Sequence, residues 1–224
     1  MAAVTVEKLT FSYPQRETPA LRQVSLSVEE GEFLVLCGKS GCGKTTLLRH
    51  LKPALTPHGE RTGEIALFGR PLSSLSAREQ AARIGFVLQN PDNQLVTDKV
   101  WHELAFGLES LGMHPDVIRL RVAEMASFFG IGPWFHKNVS DLSGGQKQLL
   151  NLASIMAMQP ELLLLDEPTS QLDPIAAAEF LQTVRKINRE LGVAVLLTEH
   201  RLEEAVPMAD RVVVMEEGAI LVDG

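Results

Sequence analysis

Gly38-Lys39-Ser40-Gly41-Cys42-Gly43-Lys44-Thr45-Thr46 meets every fixed position of the pattern G-x-x-x-x-G-K-[ST], a loop that wraps phosphate groups. Its flanks fit as well. Phe33–Cys37 is a short apolar run of strand character, and Leu47, Leu48 and Leu51 recur at helical spacing until Pro53. Glycines let successive N–H groups converge on one concavity, and the helix behind them adds its positive N-terminal end. Such a loop holds a polyanion. Lys44 would reach the β- and γ-phosphates of a nucleoside triphosphate, and the Thr45 hydroxyl would ligate magnesium.

The 224 residues suffice for one domain, or for one core with an inserted subdomain. An apolar fraction of 45% and a charged fraction of 22% are those of an ordinary soluble globular protein. No apolar run approaches the roughly 20 residues of a membrane span. The N-terminus lacks the basic-then-apolar pattern of a secretion signal. Two cysteines, Cys37 and Cys42, make no disulfide framework, which predicts a reducing cytosol. The formal net charge of -7 argues against a protein that tracks nucleic-acid phosphates.

Upstream of the loop, Val4, Val6 and Lys8 alternate with Thr5 and Glu7, predicting a strand over residues 4–9. Tyr13, the only tyrosine, could stack on a nucleobase or pack in the ordinary way. Residues 21–28 predict a second strand, turned by Glu29-Glu30-Gly31 into the strand of the loop. The opening therefore reads as an antiparallel sheet leading into a parallel core. Downstream, residues 63–68 and 84–88 predict short strands with a polar helix near residues 76–82. The second ends on Gln89, before the turn-rich Asn90-Pro91-Asp92-Asn93-Gln94. Val100, Leu104, Leu108 and Leu111 mark an amphipathic helix, and Pro115 opens another to about residue 129. Residues 94–159 thus read as a helical subdomain inserted in an α/β core made of residues 1–93 and 160–224.

Ser143-Gly144-Gly145-Gln146 begins a helix that continues through Met156. Ser143 is a good cap and the glycines allow a ligand close to the backbone, so this is either a second anion site or a plain N-cap. Leu162-Leu163-Leu164-Leu165 runs into Asp166-Glu167-Pro168, a buried strand whose C-terminal end presents two carboxylates. Open α/β sheets place ligands at that edge. Asp166 could hold magnesium through water, and Glu167 could orient or deprotonate the attacking water. Asp173-Pro174 starts a helix that Gly192 stops, and residues 193–198 form the next strand, with His200 just past its end. Residues 201–208 predict a short helix and 211–215 a strand, and Glu216-Glu217-Gly218 turns into a last strand.

In order, these features resemble the ATP-binding cassette (ABC) family over essentially the whole chain. The phosphate loop, Gln89, the signature Leu142-Ser143-Gly144-Gly145-Gln146, Asp166, Glu167, Asp173 and His200 are all in place. Tyr13 falls where the family has its aromatic adenine platform. The resemblance implies an α/β P-loop NTPase with a RecA-like parallel core sheet, an N-terminal antiparallel β subdomain and an inserted helical subdomain. It implies ATP and Mg2+ as cofactors and ATP hydrolysis as the activity. Such domains work as head-to-tail dimers, so Ser143, Gly144, Gly145 and Gln146 would meet ATP bound by a partner. His200 would contact the γ-phosphate and help position the water. Gln89 would sense the γ-phosphate and magnesium while linking to a membrane partner, and Asp173 would reach across the dimer. Glu167, His200, Gln89 and Lys44 are then the catalytic set, and Thr45, Gln89 and Asp166 the magnesium set. Cys42 stands where many cassettes have serine, either as a reactive thiol or as a small residue the loop tolerates.

Within the family, residues 89–94 with Ala105-Phe106-Gly107-Leu108-Glu109 are similar to the ATPases of energy-coupling-factor (ECF) importers. Thr169-Ser170-Gln171-Leu172-Asp173-Pro174 also occurs in that group. This implies a peripheral protein on the cytoplasmic face of the cell membrane, powering uptake of a vitamin or transition-metal ion. Its partners would be a transmembrane coupling subunit, a substrate-binding membrane subunit and a second cassette, with no nucleic acid. Residues 92–109 would form the groove for the coupling helices, with Asp92, Asp98 and Glu103 either meeting basic residues there or simply solvated. The sequence stops soon after the Gly218 turn, where ECF ATPases commonly continue. Gln171 and Trp101-His102-Glu103-Leu104 are similar to fused ECF ATPases, which favours the first half of a tandem two-cassette chain over a short or shortened one. A soluble cassette ATPase serving assembly or regulation is the alternative function, with the same motifs for hydrolysis.

Overall fold

The computed structural model describes residues 1–14 and 16–224. Two sheets share the work. An antiparallel sheet contains β1 (Ala2–Ser12), β2 (Leu21–Glu29), β4 (Glu60–Leu67) and β5 (Arg70–Pro71), in the order β2-β1-β4-β5. The other sheet contains β3 (Phe33–Cys37), β6 (Ile84–Val87), β7 (Leu162–Asp166), β8 (Ala194–Thr198), β9 (Arg211–Glu216) and β10 (Ala219–Asp223). Its order is β10-β9-β3-β8-β7-β6, parallel throughout except for the β9–β10 hairpin. The helices are α1 (Lys44–Leu51), α2 (Ala77–Arg83), α3 (Val100–Ser110), α4 (Pro115–Phe128), α5 (Gly144–Ala157), α6 (Pro174–Leu191) and α7 (Leu202–Ala205).

The apolar runs become central strands because both of their faces are covered. Side chains alternate across a strand. Phe33, Val35, Leu163, Leu165, Val195 and Leu197 face a core shared with α3, α4, α5 and α6. Their neighbours Leu34, Leu36, Leu162, Leu164 and Leu196 face a second core, closed by α1 and the antiparallel sheet. Every residue of β3, β7 and β8 is buried, so these strands can end only where polar residues are wanted. Their C-terminal ends carry the phosphate loop, Glu167 and His200 respectively.

Local chemistry sets the helix starts. Ser76 and Ser143 each form a capping box, with Glu79 and Gln146 reaching back to the cap. Asp173 caps α6 through Ala176 N–H at 3.0 Å, and Pro174 occupies the first helical position. The expectation of simple alternation in β1 fails at Lys8. Its backbone is left-handed (φ 48), the register with β2 shifts there, and Leu9 rather than Lys8 turns inward. The strand also runs further than expected, through Ser12.

His50 is fully buried on α1, with Nδ1 2.7 Å from the Thr46 carbonyl and no partner for Nε2 among the described residues. Burial holds its pKa below 6.5, against the upward pull of the Thr46 contact. The unfolded chain therefore takes up this proton first as the pH falls. The stability that neutral His50 contributes is complete above 6.5 and is lost as pH drops from there through the folded value. The loss is at most about 1.4 kcal/mol per pH unit. Urea unfolding of the wild type and His50→Gln at pH 7 and 5.5 should show a larger acid loss in the wild type; equal losses would refute this.

Candidate functional site

The loop after β3 is shaped by what lies against it. Gly38 has φ 146, and a β-carbon there would stand 2.2 Å from the Met215 carbonyl of β9 and 2.9 Å from Cys42 Sγ. Gly43 has φ 113, and a β-carbon would meet the Ala20 carbonyl at 2.8 Å. Only glycine fits at these two positions. Cys42 O accepts from Gly218 N–H at 2.9 Å, so the β9–β10 turn braces the loop from behind. Both cysteines are free and buried, and burial pushes the Cys37 thiol up. The buried position of Cys42 favours the small-residue account of it.

Lys44 is 4% exposed; its Nζ donates to the Gly38 carbonyl at 2.8 Å and lies 3.9 Å from Glu167 Oε1. Thr45 Oγ1 donates to Asp166 Oδ1 at 2.9 Å, and Thr198 Oγ1 donates to the same oxygen at 3.1 Å. Three elements thus meet at one carboxylate. Glu167 has a left-handed backbone (φ 47), held by its N–H to the Thr198 carbonyl at 3.0 Å and the Thr198 hydroxyl at 3.1 Å. That turn aims its side chain back toward the loop, where His200 Nε2 stands 2.8 Å from Glu167 Oε1. A cleft of about 780 Å³ runs over Ser40, Lys44, Thr45 and Thr46 to Gln89 and Glu167. This is a small-molecule volume, in the common range of roughly 300–1,000 Å³. The arrangement can bind phosphates on the loop, hold a water against Glu167 and stabilise charge with Lys44. Thr45, Asp166 and Gln89 offer hydroxyl, carboxylate and amide oxygens, a donor set that suits Mg2+ sharing its shell with phosphates and water.

The other expected site residues lie apart. Ser143 to Gln146 and Asp173 do not line this cleft. Ser143 and Gly144 are exposed at the start of α5. Tyr13 is not part of the cleft wall, which on that side is made by Arg16, Thr18 and Pro19. Its hydroxyl is 3.0 Å from Thr46 Oγ1 and its ring packs edge-on against Phe11. The Arg16 guanidinium sits 5.8 Å from the ring centroid, so a base stacking on that face would displace it. Two acids expected to be open to a partner are engaged internally. Glu103 is buried and accepts from the N–H groups of Val96 and Thr97, and Asp92 pairs with Lys147 at 2.7 Å. The chain needs Glu103 to tie down the turn before α3, which a reading by charge alone could not see.

Sequence reasoning missed Thr198, whose hydroxyl supports both acids, and Gln94 and Gln148. Gln94 caps the end of β6 through Leu88 N–H and the Phe86 carbonyl. Gln148 donates to the carbonyls of Leu88 and Pro168. A polar residue ending an apolar strand was the available signal for Thr198; the two glutamines sit in polar contexts that carry none.

A glycine loop between strand and helix, with acids at the end of a neighbouring parallel strand, defines a P-loop nucleoside triphosphatase fold. A family model described as ABC transporter matches residues 21–170. An ABC transporter ATP-binding protein of Bacillus cereus is 51% identical, over 100% of this chain and 40% of that protein. The energy-coupling factor transporter ATP-binding protein EcfA1 of Geobacillus kaustophilus is 41% identical, over 99% of this chain and 78% of its own length. The solved structure of CbiO1 from Clostridium perfringens, part of the ABC transporter complex CbiONQ, superposes with a TM-score of 0.90 at 30% identity. It covers 100% of this chain and 88% of that one. The chain belongs to the ABC transporter family. It spans about 40% of the length of the Bacillus relatives it matches. No helix among the described residues is long and apolar enough to cross a membrane.

Proposed function

We propose that the chain is the ATP-binding and ATP-hydrolysing part of an ECF-type importer of a vitamin or transition-metal ion. The observation that carries the hydrolytic reading is the junction at Asp166, where Thr45 from the loop and Thr198 from β8 share one carboxylate oxygen. In this reading the loop 38–46 and Lys44 bind the triphosphate, and Thr45, Asp166 and Gln89 hold Mg2+, which would neutralise phosphate charge. Glu167 takes the proton of the attacking water, and His200 positions Glu167 and the γ-phosphate. Residues 1–93 and 160–224 make the nucleotide-binding core, and residues 94–159 a helical subdomain.

Because Ser143 to Gln146 and Asp173 stand away from the chain's own cleft, a second cassette completes each site by bringing its signature to this loop. The length of the Bacillus relatives supports a second cassette in the same polypeptide. The ECF assignment rests on EcfA1 at 41% identity and on CbiO1, part of the CbiONQ complex. A groove lined by Gln94, Glu103, Phe106 and Gly107 between α3 and α5 is the seat proposed for a coupling subunit on the cytoplasmic face of the membrane. Purification from detergent-solubilised membranes should recover multi-span proteins with this chain. Recovery only with soluble complexes would overturn the importer reading and favour the assembly or regulatory one.

A further inference from the structure

Glu199 is a buried acid with no cation beside it. It is 2% exposed, yet its two oxygens are fully engaged between two loops. Oε1 accepts the N–H of Thr169 at 3.1 Å and the Thr169 hydroxyl, on the segment that follows Glu167. Oε2 accepts the N–H of His200 at 2.9 Å and of Arg201 at 3.4 Å. Arg201 makes a second tie in the same direction, from its guanidinium to the Leu172 carbonyl at 2.8 Å, one residue before Asp173. The loop after β8 therefore has no free path of its own: Thr198, Glu199, His200 and Arg201 each bond across to the loop after β7.

From this geometry we infer that Glu199, supported by Arg201, is a positioning residue. It fixes the backbone of His200 so that Nε2 meets Glu167, and it joins both to the segment carrying Asp173. The inference rests on the hydrolytic reading of the cleft. A carboxylate suits the task because it accepts on both oxygens at once. Glutamine is nearly the same size but has one acceptor. Whichever way its amide points, its NH2 faces N–H donors in a site with no water to take them. The His200 loop would then move away from Glu167, and misplacement of about 1 Å in such a site can cost on the order of 100-fold in rate.

The test is single-turnover ATP hydrolysis by the protein purified with its copurifying subunits, expressed per bound ATP so that unfolded material does not count. Glu199→Gln should lower this rate about 10- to 100-fold while leaving the KM for ATP unchanged, because no bond of Glu199 reaches the phosphate loop. In a His200→Ala background the same substitution should lower it no further. Arg201→Met, a milder change at a half-buried position, should give a loss of about 3- to 10-fold that also vanishes without His200. A wild-type rate in Glu199→Gln, or full additive losses in the His200→Ala background, would overturn the positioning role. Glu167→Gln run in parallel separates the two readings. If it hydrolyses at the wild-type rate, the account of the cleft fails. If it is inert while Glu199→Gln is fully active, only the inference about Glu199 fails.

Discussion

Glu167→Gln is expected to reduce steady-state ATP turnover by at least about 100-fold while ATP remains bound, because a general base contributes about 100- to 10,000-fold. The substitution isolates the proton-accepting oxygen. The left-handed backbone at Glu167 is set by two bonds from its N–H to Thr198, and these are untouched by a change in the side chain. Neither Asp166, which is bonded to Thr45 and Thr198, nor the loop itself depends on the Glu167 carboxylate. Binding should therefore survive, and it gains from the loss of a negative charge 3.9 Å from Lys44 Nζ. Phosphate release and nucleotide retention, measured on the same preparation, check both halves. An unchanged turnover rate removes Glu167 from the role of base.

The second large effect separates the loop from the signature. Lys44→Ala should weaken ATP binding about 10- to 100-fold, the worth of charge-assisted bonds to phosphate, and turnover should fall with it. Ser143→Arg should also stop turnover, but with ATP affinity at the chain's own loop unchanged. The reason is geometric: Lys44 lies inside the cleft, and Ser143 stands outside it at the exposed start of α5. Helix capping by Ser143 contributes only about 1 kcal/mol, too little to unfold a domain with two extensive cores. Equilibrium binding of a fluorescent ATP analogue to both variants decides the matter. Equal weakening in the two would place Ser143 in the same site as Lys44 and remove the need for a second cassette.

Much of this could be read from residues alone because the informative stretches are local. An apolar run such as residues 162–165 can only be a strand covered on both faces, and whatever follows it must sit at the sheet edge. That placed Asp166 and Glu167 before any coordinates. Caps were equally legible, since Ser76, Ser143 and Asp173 each announce a helix through their own side-chain chemistry. What escaped was set by neighbours distant in the chain. Lys8 leaves the alternation because of a register shift against β2, and Glu103 is buried because N–H groups upstream need an acceptor. Thr198 and Glu199 looked like an unremarkable approach to His200, and their importance lies in bonds to residues about thirty positions earlier.

The bracing of the loop by the β9–β10 turn has a consequence for the order of events during synthesis. The loop emerges early, yet the carbonyl that packs against Gly38 belongs to Met215, and the donor to the Cys42 carbonyl is Gly218. β9 must also pair with β3 before that strand has neighbours on both sides. Contacts this far apart in sequence form late, after the cost of closing the long intervening chain has been met. A growing polypeptide therefore carries the whole nucleotide loop without being able to set its shape. Competence to hold ATP arrives only when residue 218 has cleared the ribosome, which keeps incomplete chains from occupying nucleotide or a partner's signature.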